Sequence, residues 1–97
     1  MNLPIKRFTV HGNSMFPTLK PGQNVLCFTW AYIFGRPKIG DIVVIRKNGK
    51  NMVKRIQKVQ DRKYFVQGDN RKESTDSRNF GLVGKPEIVG KVVLVVR

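Results

Sequence analysis

Apolar residues recur along this chain at strand spacing, and turn residues punctuate them. Residues 5–10 read as a short strand stopped by His11-Gly12-Asn13. Residues 23–30 follow the turn pair Pro21-Gly22 and are rich in Val, Leu, Phe and Trp, the types that suit a pleated surface. Residues 41–46 carry the unbroken run Ile42-Val43-Val44-Ile45, which suits a strand buried on both faces. Asn48-Gly49 is a strong hairpin signal, so residues 52–59 are predicted to pair back. Asp61-Arg62 then turns the chain into residues 64–66, and the Val-rich segment 88–96 closes it. Between 68 and 86 lies a long polar stretch, uncommon in a small domain unless it has a task. No segment keeps a helical period for more than about two turns. The pattern predicts an all-β fold, a coiled, barrel-like or sandwich-like sheet with at most short helical turns. It forms one domain over residues 1–97, with 1–7 as an N-terminal extension.

Composition narrows the chemistry. In 97 residues there is room for one modest core, and 40% hydrophobic residues with nine aromatics suffice to fill it. One cysteine, Cys27, excludes an internal disulfide, and with His11 as the sole histidine a His/Cys zinc cluster is excluded as well. No cofactor and no metal are called for. No apolar run approaches the roughly 20 residues that cross a bilayer, and the N-terminus lacks the apolar core of a secretory signal. The expected location is therefore cytoplasmic, or peripheral at a membrane. The formal net charge of +13 calls for an anionic partner or serves as a solubilising coat. The basic residues are spread along the whole chain, so charge alone marks no surface.

Three stretches carry candidate chemistry. In Gly12-Asn13-Ser14-Met15-Phe16-Pro17-Thr18-Leu19, Ser14 follows a glycine turn where a hydroxyl can stand clear of the sheet; a serine there also serves simply to satisfy a turn. In Met52-Val53-Lys54-Arg55-Ile56, strand parity puts Lys54 between Met52 and Ile56 on an apolar face and aims Arg55 the other way. A lysine deprived of water loses its proton more readily, whereas an edge lysine snorkels its head to solvent. The third stretch, Gly68-Asp69-Asn70 through Ser74-Thr75-Asp76-Ser77-Arg78, is dense in short polar groups that fix a loop against a sheet or face solvent.

Taken in order, GNSMFPTL, GDIVV, VKRI and GDNRKESTDSRNFG resemble the type I signal peptidase family, its soluble compact members and the LexA-like self-cleaving proteases that share the fold. The resemblance covers residues 8–96. It implies a serine endopeptidase with a serine–lysine dyad, Ser14 as nucleophile and neutral Lys54 as general base. Ser74 matches the family serine that hydrogen-bonds the lysine, and Asp76 and Arg78 match a supporting ion pair. The oxyanion falls to the Ser14 backbone N–H and a second donor two residues earlier. That position is Gly12, which offers only its backbone N–H, where some relatives have a serine hydroxyl. Met15 and Pro17 are placed beside the substrate, a protein or peptide bound as an extended strand, and His11 reads as a turn residue. The chain lacks the membrane spans of full-sized signal peptidases and the large insertion after the lysine strand. This compact form is similar to the small maturation proteases associated with nickel superoxide dismutase, which implies removal of an N-terminal leader.

Two further expectations follow. Residues 27–38 hold four aromatics near two cations; core packing is expected for most of them, with peripheral contact on an anionic membrane surface as the other use. A basic LexA-like regulatory or nucleic-acid-binding module is the alternative to a peptidase. No self-cleavage linker such as Ala-Gly or Cys-Gly precedes the core, so self-processing is not expected; no specific nucleic-acid binding is expected, because the aromatics show no base-stacking pattern.

Overall fold

The computed structural model describes residues 4–72 and 74–96. Seven antiparallel strands form one sheet: β1 (Ile5–Thr9), β2 (Asn24–Phe28), β3 (Ile42–Lys47), β4 (Lys50–Gln60), β5 (Lys63–Gln67), β6 (Val83–Gly84) and β7 (Ile88–Val96). Their order is β1-β2-β7-β3-β4-β5-β6, so the all-β expectation holds and the sheet is open, with β1 and β6 at its two ends. Of the expected N-terminal extension, Ile5 to Arg7 lie inside β1, and residues 1–3 fall outside the described residues.

β3 explains its own composition. Val43 and Ile45 enter one apolar cluster with Tyr32, Ile56, Tyr64, Val66 and Val83. Ile42 packs on a second cluster formed by Val10, Met15, Leu19 and Val25. A strand covered on both faces has no polar side to alternate with, hence the continuous run. Val43, Val44 and Ile45 are fully buried, and each such side chain stabilises the fold by about 1.5–3 kcal/mol. Register shifts at Leu26/Cys27, Val44/Ile45 and Ile56/Lys58 mark the bulges that bend the sheet.

The hairpin turns follow from backbone sterics. Asn48 and Gly49 both have positive φ (53° and 77°), the geometry that a two-residue turn between twisted strands requires. Asp61 and Arg62 repeat it between β4 and β5, at φ 49° and 63°. Arginine has no side-chain feature that favours this left-handed region. Arg62→Gly is therefore expected to stabilise the protein by about 0.5–1 kcal/mol, read as a higher midpoint in urea. An unchanged or lower midpoint contradicts the turn assignment.

Two expectations are corrected. The strand expected over 23–30 ends at Phe28, because Thr29 N–H donates to Pro4 O (2.7 Å) and the chain then coils into turns over 29–35. The stretch 68–86, expected as loop, contains α1 (Ser77–Phe80), β6 and a 3₁₀ turn (Lys85–Glu87); residue 73 lies outside the described residues. α1 forms despite its four residues because Asp76 caps it. The Asp76 carboxylate accepts from Arg78 N–H (3.1 Å), and the Asn79 side-chain oxygen accepts from Asp76 N–H (3.2 Å), which closes a capping box.

Candidate active site

Lys54 lies where strand parity puts it. It faces Val43 across the β3–β4 pair, between Met52 and Ile56, and is 3% exposed. Its Nζ donates to Ser74 Oγ at 3.1 Å. Burial is the main influence on the amine and lowers its pKa from the ordinary lysine value; the Asp76 carboxylate raises it in part, and the Arg78 guanidinium lowers it again. The side chain thus sits in a site that favours the neutral amine.

Ser74 links this amine to a buried carboxylate. Ser74 Oγ accepts from Gly68 N–H (3.2 Å) and its hydroxyl hydrogen-bonds Asp76. Asp76 is fully buried, yet every neighbour favours its charge. Desolvation pushes its pKa up, but the Arg78 guanidinium, the Ser74 hydroxyl and the Arg78 and Gly68 N–H groups outweigh that and hold it at about 2. Arg78 spans both carboxylate oxygens, Nε to Oδ1 and Nη2 to Oδ2, each at 3.0 Å. Such a fork fixes orientation as well as charge. Asp76 and Arg78 thus form the ion pair expected of them.

Ser14 comes to the Lys54 cavity from the other core. The turn after Val10 runs through Gly12, at φ 72°, into a set of turns closed by Phe16 N–H to Asn13 O (3.1 Å) and Leu19 N–H to Met15 O (2.9 Å). Buried Met15 and Leu19 root those turns in the second cluster, leaving Ser14 partly exposed. Ser14 and Lys54 line one cavity of about 180 Å³, together with Val10, His11, Met15 and Met52. Pro17 follows a cis peptide bond, and both Pro17 and Gly12 are exposed and not part of that lining.

Several residues outside the predicted set of site residues hold the site together. Gly68 sits so close to both partners that a Cβ there would overlap the Ser14 carbonyl oxygen and Ser74 Oγ. Asn70 N–H donates to Ser14 O (2.8 Å), and Asn70 Nδ2 donates to Asn13 O (3.0 Å). Arg55, on the opposite face from Lys54, binds Asp69 by two parallel bonds (2.8 and 2.9 Å) and Gly40 O by a third (2.8 Å). Asp69 also accepts from Thr18 Oγ1, in the turn beyond Ser14. The loop that starts at Gly68 therefore straps the serine turn to the lysine strand. The visible signals were the Gly-Asp-Asn triplet and the outward parity of Arg55.

The chain is similar in sequence to known proteins. A family model described as signal peptidase, peptidase S26, matches residues 1–58 and 56–97, which together span the chain. The chain belongs to the signal peptidase family, peptidase S26. It is 37% identical over 113 residues to the mitochondrial ATP-independent inner membrane protease subunit 1a of Arabidopsis thaliana, covering 90% of this chain and 67% of that protein. It is 30% identical over 142 residues to signal peptidase I U of Bacillus subtilis strain 168, covering 93% and 74%. Signal peptidase I of Bacillus licheniformis is similar at 29% over 133 residues, covering 86% and 72%. As a member of peptidase S26 the protein is a serine endopeptidase, and its substrates are peptides or proteins. Among the described residues of this signal peptidase relative, no helix is long and apolar enough to cross a membrane.

Proposed function

We propose that this S26 peptidase cleaves an N-terminal leader from a protein substrate with a dyad of Ser14 and Lys54. The observation that carries the reading is a lysine 3% exposed, bonded through Nζ to Ser74 and lining the same cavity as Ser14. Neutral Lys54 Nζ takes the Ser14 proton as Oγ attacks the scissile carbonyl carbon. The oxyanion is held by the Ser14 and Gly12 N–H groups. The ammonium then gives its proton to the leaving amine, and an ester remains on Ser14. Lys54 next takes a proton from water as its oxygen attacks the ester carbonyl carbon; the C–Oγ bond breaks, the acid leaves, and the Lys54 ammonium returns its proton to Ser14 Oγ. Ser74, held by Gly68 N–H and Asp76, keeps the amine aimed throughout, the part that a carboxylate plays toward histidine in other serine proteases.

The substrate enters as a strand. Residues 55–60 of β4 pair with β5, but residues 50–54 pair only with β3. Ile56 N–H donates to Asp41 O on the β3 side (2.9 Å), so by the two-residue period Asn51 and Val53 aim their N–H and C=O groups at the open side. Both residues line the cavity that holds Ser14. An extended leader that adds there gains backbone hydrogen bonds beside the nucleophile. β4 returns to β5 through a two-residue turn, with no insertion after the lysine strand. This compact form supports precursor superoxide dismutase of the nickel type as the first substrate to test.

Incubation of that precursor, and of a peptide spanning its leader junction, with wild-type and Ser14→Ala protein tests the reading. Cleavage by the wild type is expected to rise with pH through a midpoint below the ordinary lysine value, and Ser14→Ala is expected to be inert. Cleavage retained in Ser14→Ala, or a rate that falls with pH, overturns the dyad. Cleavage of the peptide but not of the precursor overturns only the substrate.

A further inference from the structure

Beyond β2 the chain makes a tip whose apolar side chains mostly face outward. Tyr32 is its root: the ring is buried in the first cluster and its hydroxyl donates to Asp41 Oδ2 at 2.7 Å. Ala31 packs against the same cluster. Around that root Phe34 is 91% exposed, Ile39 66%, Ile33 61% and Trp30 48%. Core packing therefore accounts for Cys27, Ala31 and Tyr32, Pro37 is buried and Phe28 half-buried, and Trp30, Ile33, Phe34 and Ile39 are left exposed.

Clefts on the tip's flanks are basic. One, of about 320 Å³, holds Arg36, Lys38 and Lys91; the other, of about 450 Å³, holds Arg36, Arg62 and Lys85. The sole acid in either lining is Asp41, and it is already engaged by the Tyr32 hydroxyl, the Lys38 N–H at 3.1 Å and Lys91 Nζ at 3.7 Å. Exposed Val93 and Val59 add apolar surface to the two clefts. Neither cleft shares a lining residue with the Ser14 cavity.

We propose that the 30–39 tip is a docking surface for an anionic lipid membrane, with its aromatic and aliphatic side chains at the acyl boundary and Arg36, Lys38, Arg62, Lys85 and Lys91 on the headgroups. The chemistry distinguishes this occupant from an acidic protein. A protein partner would bring its own polar groups onto Phe34, Ile33 and Ile39, whereas an apolar tip collared by cations matches a hydrocarbon layer beneath a negative surface. Trp30 suits the level where an indole ring prefers to lie. The inference goes beyond the peptidase reading and does not depend on it.

Trp30 is the only tryptophan, so its emission reports contact at the tip itself. Vesicles of phosphatidylglycerol and phosphatidylcholine, sedimented with the protein at low and moderate salt, are expected to bind it and to shift Trp30 emission to the blue. Vesicles of phosphatidylcholine alone are expected to bind far less. Phe34→Ser is expected to weaken binding about tenfold. Arg36→Gln with Lys38→Gln is expected to weaken it about 25-fold, at about fivefold for each cation. All of these variants, and wild type without lipid, should cleave a soluble peptide alike, while Ser14→Ala should bind vesicles as wild type does. Three results overturn the proposal: no binding, binding that leaves Trp30 emission unmoved, or equal binding by Phe34→Ser. A blue shift produced as well by polyglutamate overturns it too, and assigns the tip to an acidic protein.

Discussion

Replacing Lys54 by methionine is expected to lower peptide cleavage by about 10⁴-fold while raising stability at neutral pH. The two effects have one cause. Lys54 is buried, and its pKa is lowered by that burial from an ordinary 10.5. At pH 7 an unfolded lysine holds its proton, whereas the folded site disfavours it. Between the lowered folded value and 10.5 the unfolded chain binds more protons than the folded one, so stability rises with pH over that window. Methionine fills similar volume and removes the proton linkage. Ser74 Oγ keeps Gly68 N–H as its donor and Asp76 as its acceptor, so no buried polar atom is left stranded. Urea melts from pH 6 to 10 on both proteins check this. The wild-type curve should climb with pH toward that of the variant. Parallel curves, or substantial cleavage by the variant, would mean that residue 54 is not a dehydrated amine serving as base.

Gly68→Ala is the second large effect. The added Cβ would overlap two groups at once, the Ser14 carbonyl oxygen and Ser74 Oγ, and would come 2.8 Å from Ser74 Cβ. One contact is backbone at the nucleophile, and the other is the acceptor of the Lys54 amine. The site must open to admit the methyl, and a displacement near 1 Å costs about 10²-fold in rate. Overpacking of this kind also costs about 1–3 kcal/mol in stability. Gly90→Ala separates the two consequences. Its Cβ would lie 2.5 Å from Phe28 O and 2.7 Å from Cys27 Sγ, where β7 crosses β2, and none of these residues lines the Ser14 cavity. Both variants should melt early, but only Gly68→Ala should turn over slowly per folded molecule. Normal turnover by folded Gly68→Ala would show that the strap does not position the serine.

What the sequence made legible was whatever depends on local geometry. The β3 run, the Asn48-Gly49 turn and the inward aim of Lys54 all follow from a period of two and from the sterics of a tight turn. α1 was harder because four residues carry no helical period. The strap was illegible for a different reason. Arg55 meets Asp69 and Asn70 meets Ser14 across 14 and 56 positions, and parity says which way a side chain points but not what waits there. The tip was legible only as one of two alternatives, because Trp30, Ile33 and Phe34 have core-type side chains whose exposure depends on how the turns after Phe28 wind around Tyr32.

The unpaired half of β4 has a consequence for which chains are cut. A polypeptide whose amides are already committed to its own helices or sheets has nothing to offer Asn51 and Val53 without first coming undone. On the dyad reading, a loose tail is severed while the compact body to which it is attached survives, and the cut ends where tertiary structure begins. Selectivity of this kind demands little of the leader's letters and much of its disorder.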